Sequence, residues 1–227
     1  MTHVLDNIIW NTIRQDTRGL CVRTEQVGVF HKDIAPFAGM HEYTAVHFNA
    51  LREVVADHRP VVLFSSKDFQ IPKDWDIVQY MVIDQMVYTS PDKYRMTHTH
   101  KLVTLSKDHV KQMLELTHLT KPGPFLERTI LFDHYHGIFD GEGLVSMAGF
   151  RFSVEGYTEI SAVCTHPDYL GKGYAKEIMQ YLIHKIRDIG ITPFLHVRQD
   201  NVSAIKVYEQ LGFEHRIPVY LYVIKKI

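Results

Sequence analysis

The stretch Thr158–Ile189, TEISAVCTHPDYLGKGYAKEIMQYLIHKIRDI, decides how the chain is read. A short run of strand-forming residues passes Pro167 and crosses Leu170-Gly171-Lys172-Gly173-Tyr174-Ala175. It continues as an amphipathic helix with Ala175, Ile178, Met179, Leu182, Ile183 and Ile186 on one face. Gly190 supplies the stop. A strand that feeds a glycine-rich turn into a helix start aims several unpartnered N–H groups at one point, where the helix dipole is positive. That point suits an anion, most naturally a phosphate group. Gly171 and Gly173 lack a Cβ and so let a diphosphate come close to the main chain. The turn is not a P-loop, because no Gly-Lys-Ser/Thr follows a four-residue spacer. It is not G-x-G-x-x-G either, since Ala175 and Lys176 follow Tyr174. Taken alone it also fits an ordinary strand–helix connection.

Downstream, Thr192-Pro193-Phe194-Leu195-His196-Val197 reads as another short strand. Asp200-Asn201 then opens a helix at Val202 that stops at Gly212-Phe213. Ala204 and Tyr208 lie four apart on one face of that helix, and Leu211 continues the stripe. Strand, Pro, L-G-K-G-Y-A, helix, strand, then N-V-S-A-I-K-V-Y-E-Q-L-G-F resembles the acyl-CoA N-acyltransferase superfamily known as GNAT, in particular its glycine N-acyltransferase-like branch. The resemblance covers residues from about 101 to the C-terminus. It departs from the family pattern at Leu170, where relatives usually carry Arg or Gln.

What the resemblance implies is specific. The fold is α/β (α+β), a mixed, mostly antiparallel central sheet flanked by helices. The activity is direct transfer of an acyl group from acetyl-CoA to a primary amine in a ternary complex, with no acyl-enzyme and no metal. Glu159 takes the amine proton, and the N–H of Val163 polarises the thioester carbonyl. Tyr208 serves the departing sulfur. A phenol near pKa ~10 is a weaker acid than a thiol near ~8.5, so Tyr208 is a hydrogen-bond donor first and a proton donor second. The main chain of Val163, Cys164 and Thr165 holds the pantetheine arm. Leu170, Gly171, Lys172, Gly173, Tyr174, Ala175 and Lys176 hold the diphosphate, and Asn201 fixes the pantetheine side while capping its helix. On a regular strand Glu159, Ser161 and Val163 would point one way and Ile160, Ala162 and Cys164 the other. Cys164 then reads as a small buried hydrophobe. The rival reading is a non-catalytic acyl-CoA sensor or interaction module. A small amine, an amino acid, an antibiotic or a protein N-terminus all fit as acceptor.

Composition sets the outer bounds. The chain has 227 residues, 45% of them hydrophobic, enough for a sizeable core without staples. A formal net charge of -1 offers nothing like the basic field of a nucleic-acid binder. Cys21 and Cys164 are far apart and form no CxxC, which points to a reducing compartment. No leader-like start and no run of eighteen apolar residues is present, so a cytoplasmic protein without membrane contact is expected. Among the 15 histidines, His98 and His100, or His134 and His136, could share a strand face. No HExxH or carboxylate cluster accompanies them, so no metal is expected.

The remaining segments set the domain plan. Residues 1–97 alternate helical patterning, at 5–13 and 41–57, with strand-like pieces near 21–22, 27–30, 61–64 and 77–88. No Gly-x-Gly follows a strand there, and the segment reads as an α/β domain that is a degenerate second copy of the same fold. The turn-rich Ser90-Pro91-Asp92-Lys93 marks the boundary, and 98–227 forms the catalytic domain. Within it, Leu102–Leu105 is a strand, Ser106 caps a helix over 109–119, and Asp140-Gly141-Glu142-Gly143 is a hairpin turn. By resemblance, the segment with Phe125, Glu127 and Arg128 lines the acceptor side.

Overall fold

The computed structural model describes residues 3–91 and 99–227. A 3₁₀ turn over Val4–Asn7 leads into helix α1 (Ile8–Gln15), followed by strands β1 (Cys21–Arg23), β2 (Val27–Phe30) and β3 (Ala38–Met40). Helix α2 (Ala45–Val54) starts where the Thr44 hydroxyl accepts the amide of His47. Strands β4 (Val61–Ser65) and β5 (Trp75–Tyr88) complete the first half. The second half runs β6 (Val103–Thr104), α3 (Val110–Thr120), β7 (His136–Asp140), β8 (Gly143–Val154) and β9 (Tyr157–Thr165). It ends with α4 (Tyr174–Asp188), β10 (Thr192–Arg198), α5 (Val202–Gln210) and β11 (Phe213–Lys226). The hairpin turns between Asp140 and Gly143 as expected, and Ser106 caps the turn that opens α3. Gly190, at φ +76°, closes α4 through its N–H to the Arg187 carbonyl (3.0 Å), while Ile191 N–H reaches that of Ile186 (3.2 Å).

β1, β2 and β3 form a small antiparallel sheet, and the other strands form one eight-stranded sheet in the order β4-β11-β5-β10-β9-β8-β7-β6. All its pairings are antiparallel except β9 with β10. The sheet therefore joins strands from both segments. The expected boundary at 97/98 lies outside the described residues, as do Asp92 and Lys93. The pairings have a twofold pattern. An isolated parallel bridge, Phe37 to Val62, joins the residue before β3 to β4, the counterpart of the parallel pairing of β9 with β10. β4 then pairs with β11, β10 pairs with β5, and β5 and β11 pair with each other at the centre. Exchanging β1–β5 for β7–β11 in order leaves this set of partners unchanged.

Alternation along the strands separates two cores. Phe194 joins Phe30, Phe37, Phe64, Met147 and Phe152 under α1 and α3. Its neighbour Leu195 joins Met86, Ile160, Phe213 and the apolar stripe of α4. α2 covers a third cluster around Leu63, Trp75 and Ile224.

Candidate functional site

The backbones of β9 and β10 pair in parallel only at Tyr157, Thr158 and Glu159, opposite Thr192, Pro193 and Phe194. Beyond that point β9 keeps β8 on its outer edge and β10 keeps β5, so 160–165 and 195–198 face each other as unpaired edges of a fork. Inside the fork β9 is irregular. Met147 pairs with Cys164 and Gly149 with Ser161, so Ala148 faces two residues, and Ala162 takes φ +53°. The bulge reverses the expected alternation. Val163 packs with Ile160 in the α4–α5 core, whereas Ala162 and Cys164 pack on the α1–α3 side with Phe194.

At the end of β9, His166 accepts the amide of Asp168 and starts a 3₁₀ turn over Pro167–Tyr169. Gly171 and Gly173 follow at φ +77° and +82°, conformations that side chains other than glycine rarely adopt. Nothing lies within 4 Å of where a Cβ would stand on either. α4 begins with no side-chain cap. Among the described residues no acceptor takes the amides of 171–176, and the first helical bond is Glu177 N–H to the Gly173 carbonyl (3.0 Å). Lys172 lies with its Nζ 4.3 Å from the centre of the Tyr169 ring, and the Tyr169 hydroxyl donates to Asp140 (2.6 Å). Leu170 is 66% exposed. These residues make an open cradle of main-chain donors at a helix start, with one cation at its rim.

Tyr208, on α5, is buried against Phe213 in the core shared with Val163. Burial and the nearby Cys164 raise its phenol pKa, so the hydroxyl keeps its proton. No group among the described residues hydrogen-bonds it. Asn201 accepts the amide of Ala204 (3.2 Å) and caps α5. The Cys164 thiol is buried and pushed up to about 12, which suppresses the thiolate.

Glu159 sits at the base of the fork with its side chain fully buried. Arg151 grips it with Nε to Oε2 at 2.7 Å and Nη2 to Oε1 at 2.5 Å, and His196 Nδ1 lies 2.7 Å from Oε1. Burial alone would raise the carboxyl pKa; Arg151 and His196 outweigh it and hold the group at about 2. The Arg151 guanidinium in turn lies 5.0 Å from the ring centre of Phe37 and 4.7 Å from that of Phe152.

Residues 135–223 match the family model described as FR47-like protein. The crystal structure of a GNAT-family protein from Novosphingobium aromaticivorans DSM 12444 matches over 100% of both chains, with a TM-score of 0.90 and 26% identity. The chain belongs to the GNAT superfamily. The [Ribosomal protein bS18]-alanine N-acetyltransferase of Escherichia coli (strain K12) is 36% identical over 52 residues, 22% of this chain; the match spans 35% of that relative's length. A GCN5-related N-acetyltransferase from Kribbella flavida shares the fold, with a TM-score of 0.59 and 12% identity over 95% of this chain and 91% of that one.

In this GNAT chain Val163 packs in the same core as Tyr208, and the glycine cradle follows the end of β9. Glu159 departs from its expected part. A sealed carboxylate with a pKa of about 2, its oxygens engaged by Arg151 and His196, is a poor acceptor for a proton from an incoming amine. Phe125 is buried on Tyr135, and Arg128 pairs with Asp33 at 2.9 Å, so their segment docks onto the first half. Sequence reasoning missed Arg151 and His196, whose signal was a polar residue between apolar neighbours within a strand. It also missed Glu177, which accepts the amides of Thr99 and His100 at 2.8 Å each.

Among the described residues no group of three or more His, Cys, Asp or Glu is placed to hold a metal ion. His98 lies outside them. No helix among them is long and apolar enough to cross a membrane.

Proposed function

We propose that the chain transfers an acetyl group from acetyl-CoA to a primary amine, directly and without an acyl-enzyme. What supports this reading is three features on the elements that form and follow the fork: the unclaimed amides of 171–176, the unpaired edges of β9 and β10, and the buried Tyr208 phenol. Acetyl-CoA would supply the activated thioester. Residues Leu170 to Lys176 would hold its diphosphate, and the Val163–Thr165 main chain its pantetheine arm, with Asn201 beside it. The Val163 N–H would polarise the carbonyl, and Tyr208 would donate a hydrogen bond to the departing sulfur. The Cys164 thiol, pushed up to about 12, is unsuited to carry the acyl group.

Glu159 is sealed, so the amine has to arrive neutral or lose its proton to water. That favours acceptors of low pKa. An α-amino group near ~7.7–8.0 is roughly a tenth neutral at pH 7, whereas a lysine amine near ~10.4 is neutral in fewer than about one molecule in a thousand. The Escherichia coli relative, by its name an alanine N-acetyltransferase, agrees with that preference. The glycine N-acyltransferase-like branch rests on sequence resemblance. The twofold pattern of strand pairing supports reading residues 1–97 as a worn second copy of the fold.

The test is thiol release from acetyl-CoA with a panel of α-amino and side-chain amines. Tyr208→Phe is expected to lower kcat by about tenfold or more while moving the KM for acetyl-CoA less than about twofold. Unchanged turnover would remove Tyr208 from the chemistry. Tight cofactor binding with no thiol release from any amine would favour the sensor reading, which the exposed Leu170 and sealed Glu159 suit.

A further inference from the structure

A continuous run of buried and half-buried polar side chains lies across five neighbouring strands, one residue from each. Arg216 on β11 donates from Nη1 to Gln85 Oε1 on β5 (2.7 Å). That fixes the amide of Gln85, so its Nε2 is the donor toward His196 Nε2 on β10 (3.1 Å) and toward the Leu5 carbonyl (3.2 Å). With Nε2 accepting, the imidazole proton sits on Nδ1 and is donated to Glu159 on β9. Arg151 on β8 closes the row. At the other end Arg216 Nη2 meets Asp6 at 2.6 Å.

The place of His196 in this row is particular. Phe194 opposite Glu159 is the last backbone pair before β9 and β10 separate, and His196 lies two residues further along β10. Its Nδ1–H reaches back across the opening, so a side-chain bond takes over where the main-chain ladder stops. The ring has no freedom to turn. Both nitrogens are engaged, its side chain is 2% exposed, and the Phe64 and Phe194 rings flank it at 5.1 and 5.7 Å between centres. Each strand is braced from its outer side as well, β9 through Arg151 and β10 through Gln85. A tie at the base of a fork sets how far its arms spread, and Val163 lies on one of those arms.

We infer that His196 is a positioning residue: by tying Glu159 across the base of the fork it sets the spacing at which the Val163 amide meets a thioester carbonyl. The inference rests on the acetyl-CoA reading above. It assigns the buried carboxylate a mechanical part in place of the proton-accepting one, and it makes the rest of the row the support for that tie.

The experiment records the infrared carbonyl band of carbonyl-labelled acetyl-CoA bound to wild type, His196→Ala and His196→Asn, with unfolding curves run in parallel. Wild type is expected to shift the thioester band to lower frequency, as a hydrogen bond to the carbonyl does. His196→Ala should lose that shift. His196→Asn, which keeps an N–H donor near the Nδ1 position, should retain most of it. With an accepted amine, kcat should follow the band, falling about tenfold in the alanine variant and about threefold or less in the asparagine variant. A merely structural role would lower the melting temperature and leave the band of the folded fraction in place. Should His196→Ala not fold, Gln85→Leu releases the Nε2 side alone and is expected to give a partial loss of the shift. An unshifted band in wild type, or a shift that His196→Ala and Gln85→Leu both preserve, overturns the assignment. Absence of any acetyl-CoA binding to folded wild type overturns the acyl-CoA reading beneath it.

Discussion

Among the described residues the strands make two forks, and one of them is open. In each, a short parallel contact between neighbouring strands gives way to divergence, β9 from β10 and β3 from β4. Past β9 the chain takes eight residues, two of them glycines at positive φ, and enters α4 with its first amides unclaimed. Past β3 it takes only His41, Glu42, Tyr43 and Thr44, with no glycine, and the Thr44 hydroxyl claims the His47 amide at the start of α2. Tyr43 then spans the gap, its hydroxyl bonded to the Phe64 carbonyl on β4 and its ring stacked on Phe69 with centres 4.1 Å apart. Similar strand geometry is thus made receptive or closed by the connection that follows. Unclaimed amides and positive-φ glycines open one fork; a hydroxyl cap and an aromatic plug shut the other.

The bases of the forks differ too, and the largest effect is expected there. The open fork stands on Arg151, Glu159 and His196, while the closed one stands on Phe37 and Val62. Glu159→Gln leaves Arg151 buried beside a neutral partner. Breaking a buried pair from one side costs on the order of 3–5 kcal/mol, so urea unfolding at pH 7 should show a loss of that size. The pH dependence has a definite sign. Glu159 is held at about 2 against a usual value of 4.5, so its contribution to stability is complete above pH 4.5 and disappears as the pH falls toward 2. Wild type should therefore lose stability across that window more steeply than Glu159→Gln. Parallel pH profiles would show that the carboxylate is not ionised in the folded protein.

The second effect concerns the cradle. Gly173→Ala forces a side chain to φ +82°, a strain of about 1–2 kcal/mol borne by an exposed loop. Acetyl-CoA affinity measured by calorimetry should fall roughly tenfold, equivalent to ~1.4 kcal/mol. The melting temperature should fall by a few degrees, because the folded state carries that strain even though nothing packs where the new methyl would stand. Unaltered affinity would mean that the diphosphate binds elsewhere.

How much of this was legible follows from which signals are local. The strand, turn and helix of 158–189, the hairpin at 140–143 and the caps at Ser106 and Asn201 all announce themselves within a few residues, through glycine punctuation and a 3.6-residue apolar period. The central strand β11 does not. Glu214, His215 and Arg216 interrupt its alternation, and its register against β5 shifts between His215 and Ile217 and again between Val223 and Ile224. The bulge at Ala162 carries no glycine to mark it, so regular alternation put Val163 on the wrong side. Arg151 between Phe150 and Phe152, and His196 between Leu195 and Val197, were visible as polar intruders. Their partner was not, because one sequence does not say which inward-facing residues of adjacent strands meet. The resemblance therefore cast Glu159 as a base, with a salt-bridge partner as the alternative, and the structure pairs it with Arg151 and His196.

The smallest effect tests the closed fork. Tyr43→Phe removes one hydrogen bond across the gap and keeps the ring on Phe69, so stability should drop by about 1 kcal/mol, the usual net worth of such a bond. Acetyl-CoA affinity and a stoichiometry of one per chain should stay as in wild type. The hydroxyl seals a gap whose helix start is already capped, since Thr44 takes the His47 amide. If Tyr43→Phe instead raised the stoichiometry toward two, the hydroxyl would be the sole barrier to a second site. The two forks would then differ by one oxygen atom and not by the build of their connections.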